Sequence, residues 1–493
     1  MQDEAEIRRQ KLEALKKAGI NPYPTDIQKG ERCADIIERF DDWSASAKSV
    51  RIVGRVLTIR VHGAMLFADL GDDSGRIQLV FKEDAVGSEL FGRMRDFVDP
   101  GDFVEAEGTV FATKRGEKSI AVKSWTMVAK ALLPMPDKFH GLKDVEARYR
   151  ERELDLLSNP EVKQRFVMRS KFIAAMRRYL ADQDFLEVET PALHPIPGGA
   201  NARPFVTHHN ALDADFYLSI APELYLKRLL VGGFEKIYEV ARCFRNEGID
   251  HTHNPEFTQI ELYWAYAGKD RFLTFMEDMF TTVVKQATGS LTIKTEDGEI
   301  DLTAPWERKT FRSIIQDACG LDIDALHSPK EVEEAAKKAH LKIDFSKCVG
   351  LGEYFDELYK KVARPSIRGP LWVTEYPIEM KPLANRDPKD PTKSAVAQLL
   401  LQGAEIINAF YFELNNPIDQ RERFEEQAAL AEKGSEDAQR MNEPFLRALE
   451  HGMPPASGMG MGIDRLVALL TAAPNLKEVI LFPTLRPLHQ SEE

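Results

Sequence analysis

The sequence predicts an α+β fold in two parts, a small OB-type β-barrel followed by a larger region of mixed helices and strands. Three observations predict it. Residues 50 to 135 hold about five short β-rich runs, among them "RIVGRVLTIR", "MLFADLGD" and "DFVEAEGTVFAT", with the turn signals "GDDSGR" and "KRGEK" between them. Beyond residue 160, helical and strand patterns mix without regular β-α alternation, which argues against a doubly wound parallel sheet. Two strictly alternating runs, "KIYEVARCFRNE" and "EFTQIELYWAY", flank the loop "GIDHTHNP" and read as antiparallel strands.

Taken in order, residues 4 to 18 read as a helix whose few apolar positions are Ile7, Leu12 and Leu15, with Gly19 as its stop. A solvated charged helix and a basic helix against an RNA backbone both fit it. Residues 1–48 are expected to form a helical extension, 49–135 the barrel and 136–160 a linker rich in charge, with 161–493 as the large domain. On pattern alone, a generic barrel and one that binds single-stranded nucleic acid fit residues 49–135 equally. A helix from about Pro160 to Asp182 carries Phe166, Phe172, Ile173, Met176 and Leu180 near helical spacing.

Composition bounds the function. The 493 residues carry a net charge of −13, which excludes a chain that grips nucleic acid with its whole surface but not one with a local basic face. The N-terminus is charged throughout, with no signal-peptide core, and no uninterrupted apolar run reaches the ~18 residues of a membrane span. None of Cys33, Cys243, Cys319 and Cys348 forms a C-x-x-C pair. Reduced thiols in a cytoplasmic protein are expected.

The chemistry concentrates between Cys243 and Ala267. Alternation puts Glu239, Ala241, Cys243, Arg245 and Glu247 on one face of the first strand, and Phe257, Gln259, Glu261 and Tyr263 on one face of the second. A structural ion-pair network of Arg245, Glu247 and Glu261 is one reading. Burying so many charges without a charged ligand is costly, so a ligand site is the better reading. Arginine's fork suits a phosphate or carboxylate, an aromatic suits a base and a carboxylate suits an amine. A nucleotide together with an amino acid satisfies all three.

"FRNEG…HNPEFTQIELYWAYA" resembles motif 2 of the class II aminoacyl-tRNA synthetases, with Phe244, Arg245, Glu247, His253, Phe257 and Glu261 in the motif's places. "GMGMGIDRLVALL" resembles motif 3, with Arg465 as its arginine. "FLEVETPAL" resembles the end of motif 1, with Pro191 as its proline. "IPGGANARPFVTHHNAL" and "IAPELYLKRLLVGGFEKIYEVARCFRNEG" resemble the class II lysyl-tRNA synthetases, and the resemblance covers nearly the whole chain.

The resemblance implies a catalytic domain with a mostly antiparallel sheet flanked by helices, acting on ATP, L-lysine and tRNA-Lys as a homodimer. Arg245 and Arg465 are the implied catalytic arginines. Arg245 holds the α-phosphate and the substrate carboxylate, Glu247 the adenine amino group and His253 the γ-phosphate. Phe257 and Arg465 sandwich the base. Glu261, Tyr263 and Glu413 take the lysine side chain, Glu223 and the backbone near Gly199 take the α-amino group, and Asn408 lies near the carboxylate. Without the resemblance, Glu223 reads equally as a helix-start cap. Mg²⁺ is the implied cofactor. Glu405 matches one of two metal-binding glutamates, and Gln398 stands where the other is expected. "NAFYFELN" is one residue longer than the family pattern, which leaves both Phe410 and Tyr411 open as the pocket aromatic, with Tyr411 named as the site residue. Phe67 and Gln78 match positions that stack on and read the anticodon, although Phe67 also fits as a core residue of its strand. His208 and His209 are expected to be structural. An aspartyl- or asparaginyl-type synthetase, a non-catalytic RNA-binding paralogue and a ligase acting on a protein acceptor are the rival readings.

Overall fold

The computed structural model describes residues 2–136, 142–200, 202–251, 253–295, 298–433 and 440–488. The chain divides into two compact units, Met1–Asp144 and Val145–Glu493.

The first unit opens with helices α1 (Gln2–Lys17), α2 (Cys33–Glu38) and α3 (Phe40–Ala45). Strands β1 (Ser49–His62), β2 (Met65–Gly71) and β3 (Arg76–Lys82) follow, then α4 (Glu83–Val86) and α5 (Ser88–Phe97), then β4 (Phe103–Ala112) and β5 (Lys118–Ala129). The strands close into a barrel in the order β1-β2-β3-β5-β4. Alternation fills it, because Ile52, Leu66, Ala68, Leu70, Leu79, Val104, Ala106 and Ile120 all point into one core. The register shift between Val56 and Thr58 re-aims the long β1, so that its first half pairs with β4 and its second with β2.

The first 48 residues, expected as an extension, pack into this unit. Leu15, Cys33, Ile36 and Phe40 lie in the barrel's core. Arg8 of α1 is buried rather than solvated, and its guanidinium donates to the carbonyls of Pro100 and Leu133 at 3.1 Å each.

The second unit begins with α6 (Val145–Arg150), α7 (Arg152–Ser158) and α8 (Pro160–Asp182). This replaces the second half of the expected linker with packed helix. The fully buried Arg152 donates to the carbonyls of Lys477 at 2.7 Å and Leu481 at 2.9 Å, and Arg148 pairs with Glu478. The dense charge of this stretch is therefore spent on internal ion pairs, which a reading of composition takes for solvation.

Short strands β6 (Leu186–Glu187), β7 (Leu193–His194), β8 (Val206–His209) and β9 (Ala214–Leu218) follow, then α9 (Glu223–Val231), β10 (Lys236–Phe244), β11 (Glu256–Ala265) and α10 (Lys269–Thr288). Next come β12 (Thr292–Thr295), β13 (Gly298–Asp301), β14 (Glu307–Thr310), α11 (Phe311–Cys319), α12 (Pro329–Lys338) and α13 (Leu351–Val362). The remainder is β15 (Leu371–Thr374), β16 (Val396–Leu401), β17 (Ala404–Phe410), α14 (Pro417–Glu432), α15 (Glu443–Glu450), β18 (Ala456–Gly462) and α16 (Ile463–Leu470).

Eight of these strands form one sheet in the order β14-β15-β16-β17-β18-β11-β10-β6. The edge pairs β14/β15 and β10/β6 are parallel and the five pairs between them antiparallel, which is the mostly antiparallel sheet expected. Helices α8 and α10 cover its back. Phe172, Met176 and Leu180 meet Phe272, Met276, Met279 and Phe280, over Ile260, Leu262 and Trp264 of β11. Truncating one of these aromatics to alanine is worth about 3–5 kcal/mol, so this slab is what holds the front face flat and in register. No helix among the described residues is long and apolar enough to cross a membrane.

Candidate active site

The front face of the sheet is built by register. β10 and β11 pair Glu239 with Glu261, and β11 and β18 pair Glu261 with Gly460. β18 and β17 pair Gly460 with Asn408, and β17 and β16 pair Asn408 with Gln398. One row of functional side chains thus crosses five strands, with glycine at its centre. The next row sets Tyr263, Gly458 and Phe410 side by side.

At one end of this face the charges are buried. Glu223, Glu261 and Glu413 are all buried. Glu261 Oε1 accepts from Gln259 Nε2 at 2.6 Å, and its Oε2 accepts from the Tyr263 hydroxyl at 3.3 Å. Burial, reinforced by the Glu223 charge, holds the Glu261 carboxyl well above the usual range. Burial also pushes Glu413 up to about 7 against the pull of Lys227, and raises the Tyr263 hydroxyl.

Glu223 opens α9 but caps nothing. The cap residue is Pro222, and Glu223 Oε1 accepts instead from Lys227 Nζ at 2.7 Å. The same ammonium lies 2.8 Å from Glu413 Oε2, which has no donor of good hydrogen-bond geometry, so that contact is charge pairing alone. Gly199, at φ +90°, brings backbone against this corner, where an added Cβ would stand 3.2 Å from Glu223 Cβ. Gly458 is more constrained. A Cβ there would fall 2.3 Å from Glu413 Oε1 and 2.5 Å from Tyr263 Cε1.

The expectation for Tyr411 is corrected. Alternation along β17 sends Asn408 and Phe410 to the front, while Tyr411 turns into the main core with its hydroxyl donating to Asp387 at 2.9 Å. Phe410 is the aromatic beside the acidic corner, with its ring centre 6.0 Å from Lys227 Nζ.

The other end is open. The Arg245 guanidinium lies 5.0 Å from the Phe257 ring centre, and its buried Nε has no hydrogen-bond partner. Among the described residues no ion pair joins Arg245 to Glu247 or Glu261, so the internal network is not formed. Glu247 and His253 are exposed, and the His253 ring contacts Asp250 of its own loop at 3.0 Å. Arg465 donates to the Glu405 carbonyl at 3.0 Å, and burial lowers its pKa against the pull of Glu405.

The metal expectation is tested by the donors present. Gln398 Nε2 donates to Glu405 Oε2 at 2.8 Å and to Asn408 Oδ1 at 3.2 Å. Among the described residues no three acidic, histidine or cysteine side chains group as metal ligands. One carboxylate beside an amide suits a single Mg²⁺ whose remaining ligands are phosphate and water, and does not suit a two-carboxylate cage. His208 and His209 are exposed, and His208 contacts Asp215 at 3.0 Å.

On the barrel, Leu66, Ala68 and Leu70 point inward, which leaves Phe67 and Asp69 outward on β2. Gln78 pairs with Asp69 on β3, and its Oε1 accepts from the Ser119 hydroxyl at 3.1 Å. Phe67 is half-buried, with His62 edge-on at 6.1 Å. It is therefore a surface aromatic rather than a core residue.

Lys227, Gly458 and the front-facing Phe410 are the site residues that sequence reasoning missed. The one signal for Lys227 is its spacing of four from Glu223 on one helix.

Comparison with known proteins agrees with this fold. The family described as tRNA synthetases class II (D, K and N) matches residues 144–486, and the OB-fold nucleic acid binding domain matches residues 50–128. An acidic front face on a mostly antiparallel sheet thus sits in a class II tRNA synthetase. The lysine–tRNA ligase of Moorella thermoacetica is 47% identical over 484 residues, covering 98% of this chain and 97% of that protein. That of Syntrophomonas wolfei is 46% identical over 481 residues, with 98% and 96% covered. That of Clostridium perfringens strain SM101 is 45% identical over 487 residues, again with 98% and 96% covered. The chain belongs to the class II lysyl-tRNA synthetases.

Proposed function

We propose that this chain activates L-lysine with ATP and transfers it to the 3′ end of tRNA-Lys. The observation that carries the reading is the acidic corner, where Glu223, Glu261 and Glu413 are buried with Tyr263. Buried carboxylates need cationic partners, and lysine brings two ammonium groups. The ε-ammonium is placed against Glu261, Tyr263 and Glu413, and the α-ammonium against Glu223 and the Gly199 backbone.

In the first step a lysine carboxylate oxygen attacks the α-phosphorus of ATP, and pyrophosphate leaves. Arg245 spans the carboxylate and the α-phosphate, and its unpartnered Nε supports an anion there. Its contribution grows as charge develops at phosphorus. Phe257 and Arg465 hold the adenine between them, Glu247 accepts from its amino group, and His253 approaches the γ-phosphate. Asn408 orients the lysine carboxylate. Glu405, with Gln398 beside it, would hold Mg²⁺, which would supply neutralisation of phosphate charge. In the second step a terminal ribose hydroxyl of the tRNA attacks the lysyl carbonyl carbon, releasing AMP and a proton. Phe67 and Gln78 take unpaired anticodon bases by stacking and edge contacts.

A homodimer built around the Pro191 motif is part of this reading, supported by the exposed apolar side chains of Leu186 and Leu193 that flank it in sequence. A cytoplasmic location fits four free cysteines. The aspartyl-type alternative needs a free cation for the substrate carboxylate, and Lys227 is already held by two carboxylates, while the neutral side chain of asparagine would leave the acidic corner unmatched. Lysine-dependent ATP–pyrophosphate exchange with charging of tRNA-Lys is the expected result. Exchange supported by aspartate or asparagine in place of lysine contradicts it.

A further inference from the structure

The roles above leave Lys227 unused, yet its side chain is wholly buried inside the amino-acid pocket. Its Nζ stands 2.7 Å from Glu223 Oε1, 2.8 Å from Glu413 Oε2 and 3.4 Å from the Leu383 carbonyl. The two carboxylates come from separate parts of the chain, one from the first turn of α9 and one from beyond β17. They are the two assigned to different ends of the substrate.

We propose that Lys227 is a positioning and specificity-determining residue, a resident ammonium that holds Glu223 and Glu413 ionised at fixed spacing and leaves the pocket two negative charges for the two ammonium groups of lysine. This rests on the lysine reading of the same site. When lysine binds and Glu261 ionises beside Glu223 and Glu413, three carboxylates against one internal ammonium leave a surplus of two, while Glu239, raised by burial, is held by Thr190. Lysine supplies two positive charges, and Arg245 answers its carboxylate. An amino acid with a neutral side chain supplies one and leaves a buried charge unmatched, which is a strong penalty.

The charged and titratable groups around the pair are few. Glu223 comes from α9, Glu261 and Tyr263 from β11, and Glu239, held by Thr190, from β10. β18 contributes glycine, and the Leu383 segment contributes a carbonyl. Without Lys227, carboxylates this close and this dry do not all ionise. The one that keeps its proton is lost as an acceptor for the substrate, and Glu261 and Glu413, both raised by burial, are the candidates.

The test is lysine binding by calorimetry between about pH 6 and 9 for wild type, Lys227→Met and Lys227→Arg, with ATP binding measured beside it. Lys227→Met is expected to weaken lysine by about tenfold or more near neutral pH and to move the midpoint of the pH profile up by about one unit. Lys227→Arg, which keeps the charge, is expected to stay near the wild-type midpoint, and ATP affinity is expected to hold in both. If Lys227→Met does not fold, Lys227→Gln reads the same midpoint. A purely structural role lowers stability without moving the midpoint, and an unchanged midpoint in the folded neutral variant overturns the proposal. If wild type itself binds no lysine, the functional reading fails first. If wild type binds and the variants share its pH profile, only the role of Lys227 fails.

Discussion

The two ends of one sheet face are built in opposite ways. At the amino-acid end, Glu261, Tyr263 and Glu413 are 5%, 3% and 2% exposed, and the acceptors already have internal partners. At the nucleotide end, Glu247 and His253 stand in solvent on a loop, and Arg245 keeps a nitrogen without a partner. Both ends lie on the same strands, β10 and β11. The difference comes from what covers them, since α9 and the segment after β17 close over one end and nothing comparable covers the motif 2 loop among the described residues. On the proposed function, selection between amino acids rests on preformed, desolvated charge, where a mismatch is expensive. On the same proposal, ATP binding is left to groups that complete their contacts on binding.

The sharpest way to break this contrast is Glu261→Gln. It removes a buried charge at the closed end and should weaken lysine by roughly 3–5 kcal/mol, or more than about a hundredfold, with ATP affinity kept. Equal losses of lysine and ATP in paired binding measurements would merge the two ends into one cooperative site. Arg245→Ala comes next. Loss of a donor aimed at developing charge lowers kcat by about 10²–10³ in pyrophosphate exchange, with a smaller change in the KM for lysine.

Gly458→Ala tests the closed end by shape alone. Its Cβ would fall within 2.5 Å of both the Glu413 carboxylate and the Tyr263 ring. A loss of lysine affinity of about tenfold or more is expected, together with a loss of stability of about 1–3 kcal/mol, because Tyr263 belongs to the core as well as to the pocket. An unaltered KM for lysine would mean that the pocket is not where Tyr263 and Glu413 meet.

The pH dependence separates the ends by titration. The folded-state value for Glu413 is about 7, above an unfolded value of 4.5. Between these values the folded protein holds a proton that the unfolded chain has released, so the fold loses stability as pH rises through this window. Lysine requires the carboxylate, so its affinity runs the other way. It should rise by up to about tenfold per unit as pH rises through about 7, and go on rising while Glu261, also raised by burial, ionises, while ATP affinity does not follow. A pH-independent lysine affinity across this window would remove Glu413 from the ammonium site.

Phe67→Ala carries the smallest effect of this set. It should raise the KM for tRNA by about tenfold, as expected for one lost base stack, and leave lysine-dependent pyrophosphate exchange untouched.

Much of this was legible in the sequence, because a β-strand has a period of two. Phe257, Gln259, Glu261 and Tyr263 share a face in "EFTQIELYWAY" before any partner strand is known, and the apolar Ile260, Leu262 and Trp264 name the back. The same rule separates Phe67 from Leu66 and Ala68. What stayed hidden depends on pairing between distant segments. Gly458 matters because register sets it beside Tyr263 and under Glu413, and no local pattern carries that. Phe410 and Tyr411 are adjacent, so a one-residue difference in length obscured which of them faces the site. Lys227 carries no local signal beyond its spacing from Glu223, and its second carboxylate, Glu413, comes from a distant segment. The charge of residues 145 to 158 and of α1 misled for a related reason, since Arg152 and Arg8 are spent on distant backbone carbonyls.

The most direct test of the central claim compares L-lysine with norleucine, which keeps the chain and lacks the ε-ammonium, by calorimetry on the wild-type protein. If buried charge selects the substrate, norleucine binds at least about a hundredfold more weakly than lysine, because Glu261 and Glu413 are left buried without their partner. Comparable affinities for the two would contradict the account.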